Sequence, residues 1–117
     1  MGISINNNAS ALQAFSRQMS VSANNVANSL SDEFKTAKAY NTEGKNKEVN
    51  TQITQSTTPG PLVEDPLKND GSLKELSNTD IAQELVNQIA AQNGFDANAK
   101  VISTYDEVIG SLIDSIG

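Results

Sequence analysis

The stretch that decides the fold is residues 77–117, which read SNTDIAQELVNQIAAQNGFDANAKVISTYDEVIGSLIDSIG. In its second half, large apolar residues return at every seventh position, at Phe95, Ile102, Ile109 and Ile116. Such a repeat lines one seam of an α-helix, and the seam needs a second helix to pack against. Oxygen-bearing side chains at residues 77–80 are typical helix caps. The stretch therefore predicts one long helix over residues 79–115, and it leaves open whether Gly94 bends that helix.

The other end of the chain carries the same kind of pattern. One row of apolar residues recurs at every seventh position, at Ile5, Leu12, Met19 and Val26. The asparagines at residues 6–8 supply side-chain oxygens that can cap free backbone amides. The pattern predicts a first helix that begins after residue 8 and ends near residue 28 or residue 30.

The middle of the chain, residues 32–76, is polar and is interrupted by turn signals. Val49, Thr51 and Ile53 alternate with polar residues, which predicts a short strand. The turn signal at residues 41–44 separates this strand from Ala37, Ala39 and Tyr40, which can supply the opposing strand of a β-hairpin. Prolines and a second turn signal make residues 56–76 an extended connector.

These elements predict a mainly α fold, in which an antiparallel, coiled-coil-like pair of long terminal helices is joined by a short β-hairpin and an extended connector. We divide the chain into an N-terminal axial helix (1–31), a connector (32–76) and a C-terminal axial helix (77–117), which together form one domain. With 37% hydrophobic and 4% aromatic residues, the chain has little material for a compact core. We therefore expect a single copy to be marginally stable and to be stabilised by neighbouring copies.

The composition argues against several functions. The net charge is -6 and the chain has no basic cluster, so nucleic acid is not expected as a partner. The absence of cysteine and histidine removes thiolate metal sites and the commonest general base. No apolar run reaches membrane-spanning length, and no cleaved secretory signal is recognisable. We expect no enzyme activity, no catalytic, cofactor-binding or metal site, no cofactor and no direct membrane insertion.

Two segments of the chain resemble the bacterial flagellar rod and hook axial proteins. Near the N-terminus the resemblance lies in Ser10-Ala11-Leu12 and in residues 21–28, VSANNVAN, which are similar to the signature that closes the first helix of that family. Near the C-terminus it lies in residues 77–87, 89–92 and 95–102. The short middle segment makes the chain most like a proximal rod protein. Glu33 departs from the family pattern, because it stands where a turn glycine is expected, and the turn can differ there or the helix can run on.

The resemblance implies a structural subunit of the flagellar basal body rod. Such a subunit would form a helical tube that crosses the periplasm, transmits torque and encloses the export channel. It would leave the cytoplasm through the flagellar type III export apparatus without a cleaved signal peptide. Its partners would be other copies of itself, other rod and hook axial proteins, and the export apparatus. The alternative is an adaptor or regulatory protein that binds rod or export components without polymerising.

The residues expected to carry this function are interface residues. The apolar ones are expected in the packed seam between subunits: Leu12, Met19, Val26, Leu85, Ile89, Phe95, Ile102, Ile109 and Leu112. The polar ones are asparagines expected to make contacts within or between subunits: Asn24, Asn25, Asn28, Asn78 and Asn98.

Overall fold

A computed structural model describes residues 5–116, except for the side chain of Ile5. The expectation that Ile5 belongs to the first apolar row therefore lies outside the described residues. Residues 1–4 and 117, at the outer ends of the two proposed axial segments, also lie outside them. The elements are, in chain order, α1 (Ile5–Ala27), β1 (Ala37–Glu43), β2 (Val49–Gln55), β3 (Leu62–Glu64), β4 (Leu73–Glu75) and α2 (Ile81–Ile116). The predicted mainly α class, with a helix towards each end and a short hairpin between them, is confirmed.

Helix α2 dominates the molecule. It has 36 residues, which corresponds to roughly 54 Å at about 1.5 Å per residue. Asp80 caps it, because its Oδ1 accepts a hydrogen bond from the backbone N–H of Gln83 at 3.2 Å. The helix is unbroken through Gly94, so a break at this glycine is excluded.

Helix α1 begins earlier than expected, at Ile5, and the asparagines of residues 6–8 lie in its first turns rather than before it. It ends at Ala27, and backbone hydrogen bonds from Asn28 to Asn24 and from Ser29 to Val26 close its last turn. The chain then leaves the helix through a turn in which Glu33 has φ 61°. This left-handed conformation favours glycine. The helix therefore does not run on to Glu33, and this residue adopts a left-handed conformation without being a glycine.

The predicted β-hairpin is confirmed. Strands β1 and β2 pair antiparallel with Ala39 opposite Ile53. The backbone N–H of Gly44 donates to the carbonyl of Glu48 at 2.8 Å, which closes the turn between the two strands. The hairpin contacts α1 along its length, as an isolated hairpin must contact something to be stable in water.

A second, smaller hairpin lies in the segment that was expected to be only a connector. Strands β3 and β4 pair antiparallel, with Val63 opposite Lys74. The turn between them holds Asn69 at φ 50° and Gly71 at φ 79°. Each strand has only three residues, too few for alternation to be recognised from the sequence.

The two helices run in opposite chain directions where they contact each other. The end of α1 meets the start of α2, where Ser22 bonds to Glu84, and farther along Phe15 lies beside Gly94. The first residue of α1 therefore lies level with about residue 104, and α2 continues for about three more turns. The molecule is elongated, with extents of 81 × 25 × 15 Å.

The interior is made of small and polar residues. Among residues 6–116, the buried apolar side chains are those of Ala11, Ala14 and Ala91. Ser22, Asn25 and Glu84 are buried with them. Small side chains let the elements approach closely, but they bury little apolar area, so the hydrophobic stabilisation of one copy is small.

Candidate functional site

A polar junction joins the end of α1, the start of α2 and the first hairpin. Its centre is Asn25, whose side chain is 1% exposed. The Asn25 amide Nδ2 donates to the carbonyl of Ala37 at 2.8 Å, and Oδ1 accepts from the N–H of Ala37 at 3.0 Å. Asn25 therefore pairs with the outer edge of β1 as a neighbouring strand would, and it satisfies both backbone groups of that residue.

The same asparagine holds the start of α2. Its Nδ2 also donates to Glu84 Oε1 at 3.1 Å, and its backbone carbonyl accepts from Thr79 Oγ1 at 3.1 Å. Ser22 Oγ donates to the backbone carbonyl of Glu84 at 3.0 Å. Of the two side-chain oxygens of the buried Glu84, only Oε1 accepts one of these bonds, and Oε2 is buried without a hydrogen-bond partner, so the loss of hydration is offset only in part. The junction consequently fixes the position of α2 against α1.

Asn78 extends the junction to the connector. Its Oδ1 accepts from the N–H of Thr36 at 2.7 Å, and its Nδ2 donates to the carbonyl of Thr58 at 2.9 Å. Its own backbone N–H donates to the carbonyl of Phe34 at 3.1 Å. The Asn78 side chain was one of the expected caps of α2, but it binds other segments instead. The cap of α2 is Asp80.

An ion pair ties the second hairpin to the turn after α1. Lys35 Nζ donates to Glu75 Oε1, which also accepts from the N–H of Gly60 at 3.0 Å. The hydrogen bond from Lys35, reinforced by that from Gly60, lowers the pKa of the Glu75 carboxyl. The backbone N–H of Glu33 donates to the carbonyl of Glu75 at 2.9 Å, so the left-handed turn and β4 are held together.

The expected polar interface residues lie in different surroundings. Asn25 and Asn78 come together at the junction, as described. Asn24 is exposed, and Asn28 donates to the Asn24 carbonyl at 2.9 Å at the end of α1. Asn98 is half-buried and donates to the carbonyl of Gly94 at 2.9 Å. A role for Asn24, Asn28 and Asn98 in contacts between subunits stays a prediction.

The expected apolar seam residues lie mostly on the surface of this single chain. The half-buried members are Leu12, Met19, Val26 and Ile102. The exposed members, all on α2, are Leu85, Ile89, Phe95, Ile109 and Leu112. Large apolar residues exposed in series on one helix are typical of an interaction surface, and which of them pack between subunits stays a prediction.

The contact between the helices uses residues that the apolar pattern did not identify. On α2 the more buried side is marked at every seventh position, by Glu84, Ala91, Asn98 and Tyr105. On α1, Ala11 and Asn25 are buried and Gln18, between them, is half-buried. In these two rows the spacing of seven is carried by small, polar and aromatic residues rather than by leucine and isoleucine.

The described residues 5–116 hold no group of three or more acidic, histidine or cysteine side chains arranged to bind a metal ion. Over the same residues, neither helix combines the length and apolar character needed to cross a lipid bilayer.

Comparison with known proteins shows that the C-terminal part of the chain is similar to a known family. Residues 70–115 match the family described as the C-terminal segment of the flagellar basal body rod FlgEFG proteins. The chain is 42% identical over 48 residues to the flagellar basal-body rod protein FlgG of Bacillus subtilis, which covers 38% of this chain and 18% of that protein.

Two hook proteins give similar matches. Identity to the flagellar hook protein FlgE of Helicobacter pylori is 41% over 44 residues, or 38% of this chain and 6% of the relative. Identity to FlgE of Escherichia coli is 42% over 40 residues, or 34% of this chain and 10% of the relative. The matched stretches thus span less than a fifth of each of these relatives.

The matched residues 70–115 contain β4 and almost all of α2. The similarity thus lies mainly in the long helix α2, along which large apolar side chains stay exposed. Over this segment the chain is similar to flagellar basal-body rod and hook proteins, and the resemblance stated from its sequence is confirmed there.

Proposed function

We propose that this chain is a structural subunit of the bacterial flagellar basal body rod. The observation that carries the proposal is the match of residues 70–115 to the C-terminal segment of rod and hook proteins. It coincides with a helix whose large apolar side chains stay exposed in a single copy. Such a helix gains its missing apolar contacts when other copies or related axial proteins pack against it.

In this role the subunit contributes to a helical tube that transmits torque and encloses the export channel. The two helices form the coiled-coil-like, antiparallel part of each subunit, and the hairpins lie beside it. Export through the flagellar type III apparatus, without cleavage of a signal peptide, brings the subunit to a rod that spans the periplasm. The elongated shape supports the proposal, because a copy with extents of 81 × 25 × 15 Å is long and narrow, as a subunit that packs side by side with others in the wall of a tube can be.

A structural role is also favoured over a catalytic one by the chemistry of the junction. Asn25, Ser22 and Thr79 direct their side chains to backbone groups and to Glu84. These bonds connect elements and leave no nucleophile paired with a general base in the junction. We therefore propose that the polar junction sets the geometry of the subunit and that the protein is not an enzyme.

The second candidate is an adaptor or regulatory protein that uses the rod-like helices to bind rod or export components without polymerising. Glu33 favours it, since this residue replaces a turn glycine of the rod pattern and still adopts the glycine conformation. Copy number separates the two candidates, because a polymerising subunit is present in many copies in each basal body.

The experiment is quantitative recovery of the epitope-tagged chain in basal bodies that have been extracted with detergent and washed with high salt. A rod subunit is expected to be retained in a fixed ratio of several copies per basal body. The adaptor is expected in the soluble fraction or at one copy or fewer. Recovery exclusively in the soluble fraction would reject the structural proposal.

A further inference from the structure

The last turns of α2 form an apolar surface that no described residue of the same chain covers. We call residues 105–116 the overhang, because α1 begins level with about residue 104. On the side of α2 that faces α1, the exposed fraction is 36% at Ile109, 53% at Leu112, 62% at Ile113 and 78% at Ile116. Exposure of these four side chains thus increases steadily towards the C-terminal end of α2.

The overhang continues the existing helix–helix contact. Leu112 lies seven residues after Tyr105, in the series that runs from Glu84 through Ala91 and Asn98. The same side of α2 that contacts α1 near Gly94 therefore faces solvent near Leu112. A helix that approaches the overhang as α1 approaches the rest of α2 would complete the seam.

The outer side of α1 has complementary shape. Four exposed residues on this side follow one another at spacings of four, three and four, and all of them are small. We call them the small ridge: Ser16, Ser20, Ala23 and Ala27. Large side chains of one helix pack closely where the facing helix presents small ones, because the two backbones can approach. The four large residues of the overhang and the four small ones of the ridge each span two to three helical turns.

Charge selects this partner over a second overhang. The overhang carries Asp106, Glu107 and Asp114 and no basic residue, whereas the one charged residue of α1 is Arg17. The Arg17 side chain is exposed and forms no ion pair within the described residues. Two overhangs would repel each other, but an overhang and an α1 helix attract.

We propose that the overhang of one copy packs on the small ridge of a second copy that points in the same direction. The inference rests on the proposed rod function and names the surfaces through which copies join. With Ile113 beside Ser20 of the next copy, the two molecules are shifted by about 24 residues of helix, or roughly 36 Å. Because the contact joins two different surfaces, it can repeat without closing, which generates a filament.

The natural absence of cysteine gives a direct test. In one chain Ser20 lies level with about residue 89, roughly 36 Å from Ile113, whereas a disulfide requires Cα atoms within about 7 Å. A disulfide between cysteines at these positions can therefore only join two copies. The variant Ser20→Cys/Ile113→Cys is assembled under reducing conditions in a flagellated strain that lacks the native chain. Purified basal bodies are then oxidised.

The expected result is a ladder of dimers and larger multimers that disappears on reduction, with at least tenfold less product from the control Ser20→Cys/Glu107→Cys. Glu107 lies on the overhang but on the opposite side of the helix. A second pair, Ala23→Cys/Ile109→Cys, has nearly the same shift and is expected to give the same ladder. It replaces the first pair if that variant does not assemble.

Three results would overturn the inference. Basal bodies that contain either cysteine pair but show no ladder leave the rod function standing and reject this contact. A product of one copy with a different axial protein rejects a second copy as the partner. Absence of the native chain from purified basal bodies rejects the proposed function and, with it, the contact.

Discussion

At the scale of single residues, the molecule depends on polar side chains that replace backbone partners. Asn25 bonds both backbone groups of Ala37 and one oxygen of Glu84. Asn78 likewise bonds the backbone N–H of Thr36 and the backbone carbonyl of Thr58. Because the described core contains few apolar side chains, these hydrogen bonds carry an unusually large share of the stability of one copy.

Replacement of Asn25 by alanine is expected to lower the free energy of unfolding by about 2–3 kcal/mol. It leaves the N–H and carbonyl of Ala37 and an oxygen of the buried Glu84 without their partner. Urea denaturation at one fixed protein concentration, high enough for copies to assemble, measures the effect. Asn24→Ala is the matched control, since Asn24 is exposed, and a change within about 0.5 kcal/mol is expected. Equal effects of both substitutions would contradict the central role of Asn25.

Glu33 is a residue in a conformation that suits glycine. An L-residue pays about 1–2 kcal/mol for a left-handed backbone, and glycine avoids most of this cost but loses more chain entropy on folding. Glu33→Gly is therefore expected to raise the free energy of unfolding by about 0.5–1 kcal/mol. Glu33→Ala, which keeps the strained φ of 61°, is expected to change it little. A stability loss in the glycine variant would show that the Glu33 side chain contributes more than the strain costs.

At the scale of elements, the two helices meet through small residues, and at Gly94 a side chain of α1 lies directly against α2. A Cβ atom at this position would lie 2.5 Å from two ring carbons of Phe15. At Gly110, on the overhang, a Cβ atom would meet nothing within 4 Å. Packing thus explains the glycine at position 94, whereas nothing in the structure explains the glycine at position 110.

The two glycines predict opposite effects of alanine. Gly110→Ala is expected to stabilise α2 by up to about 1 kcal/mol, through helix propensity alone. Gly94→Ala gains the same propensity but must displace the Phe15 ring, and overpacking costs about 1–3 kcal/mol. A net loss of about 1 kcal/mol is expected in thermal or urea denaturation. In a Phe15→Ala background the loss should disappear, and its persistence there would contradict the packing explanation.

At the scale of the whole molecule, the chain is one long helix, α2, that the shorter helix α1 covers along only part of its length. Its radius of gyration is 20.9 Å, compared with about 13 Å for a compact domain of similar length. The large apolar residues lie mostly outside, and their burial requires other molecules. Folding and assembly are therefore expected to be coupled.

This coupling predicts how the isolated chain behaves. In dilute solution its helicity by circular dichroism should be low, and it should rise as copies assemble, because neighbours supply the apolar contacts that one copy lacks. The midpoint of thermal unfolding should rise with protein concentration. A fully helical chain with a cooperative melt that is independent of concentration would contradict the coupling and favour a self-contained helical hairpin.

The sequence by itself determined the elements that depend on local pattern. The long C-terminal helix, the first helix and the β1–β2 hairpin follow from periodicity and turn residues, which act between near neighbours in the chain. The capping residues were recognisable for α2 but not for α1, whose asparagines at residues 6–8 lie inside the helix. The sequence also carried the resemblance to flagellar rod and hook proteins, in residues that form α2. It could not give the β3–β4 pairing, since strands of three residues are too short to show a pattern.

Only the tertiary structure decided which residues meet. Asn25 and Glu84 are 59 positions apart in the chain, and nothing local indicates that one hydrogen-bonds the other. The structure also decided that alanines and polar residues, rather than the large apolar rows, form most of the buried contact between the helices. The physical reason is that periodicity fixes only the side of a helix on which a residue lies. Which side packs inside the same copy, and which stays exposed, depends on how closely the two helix backbones can approach.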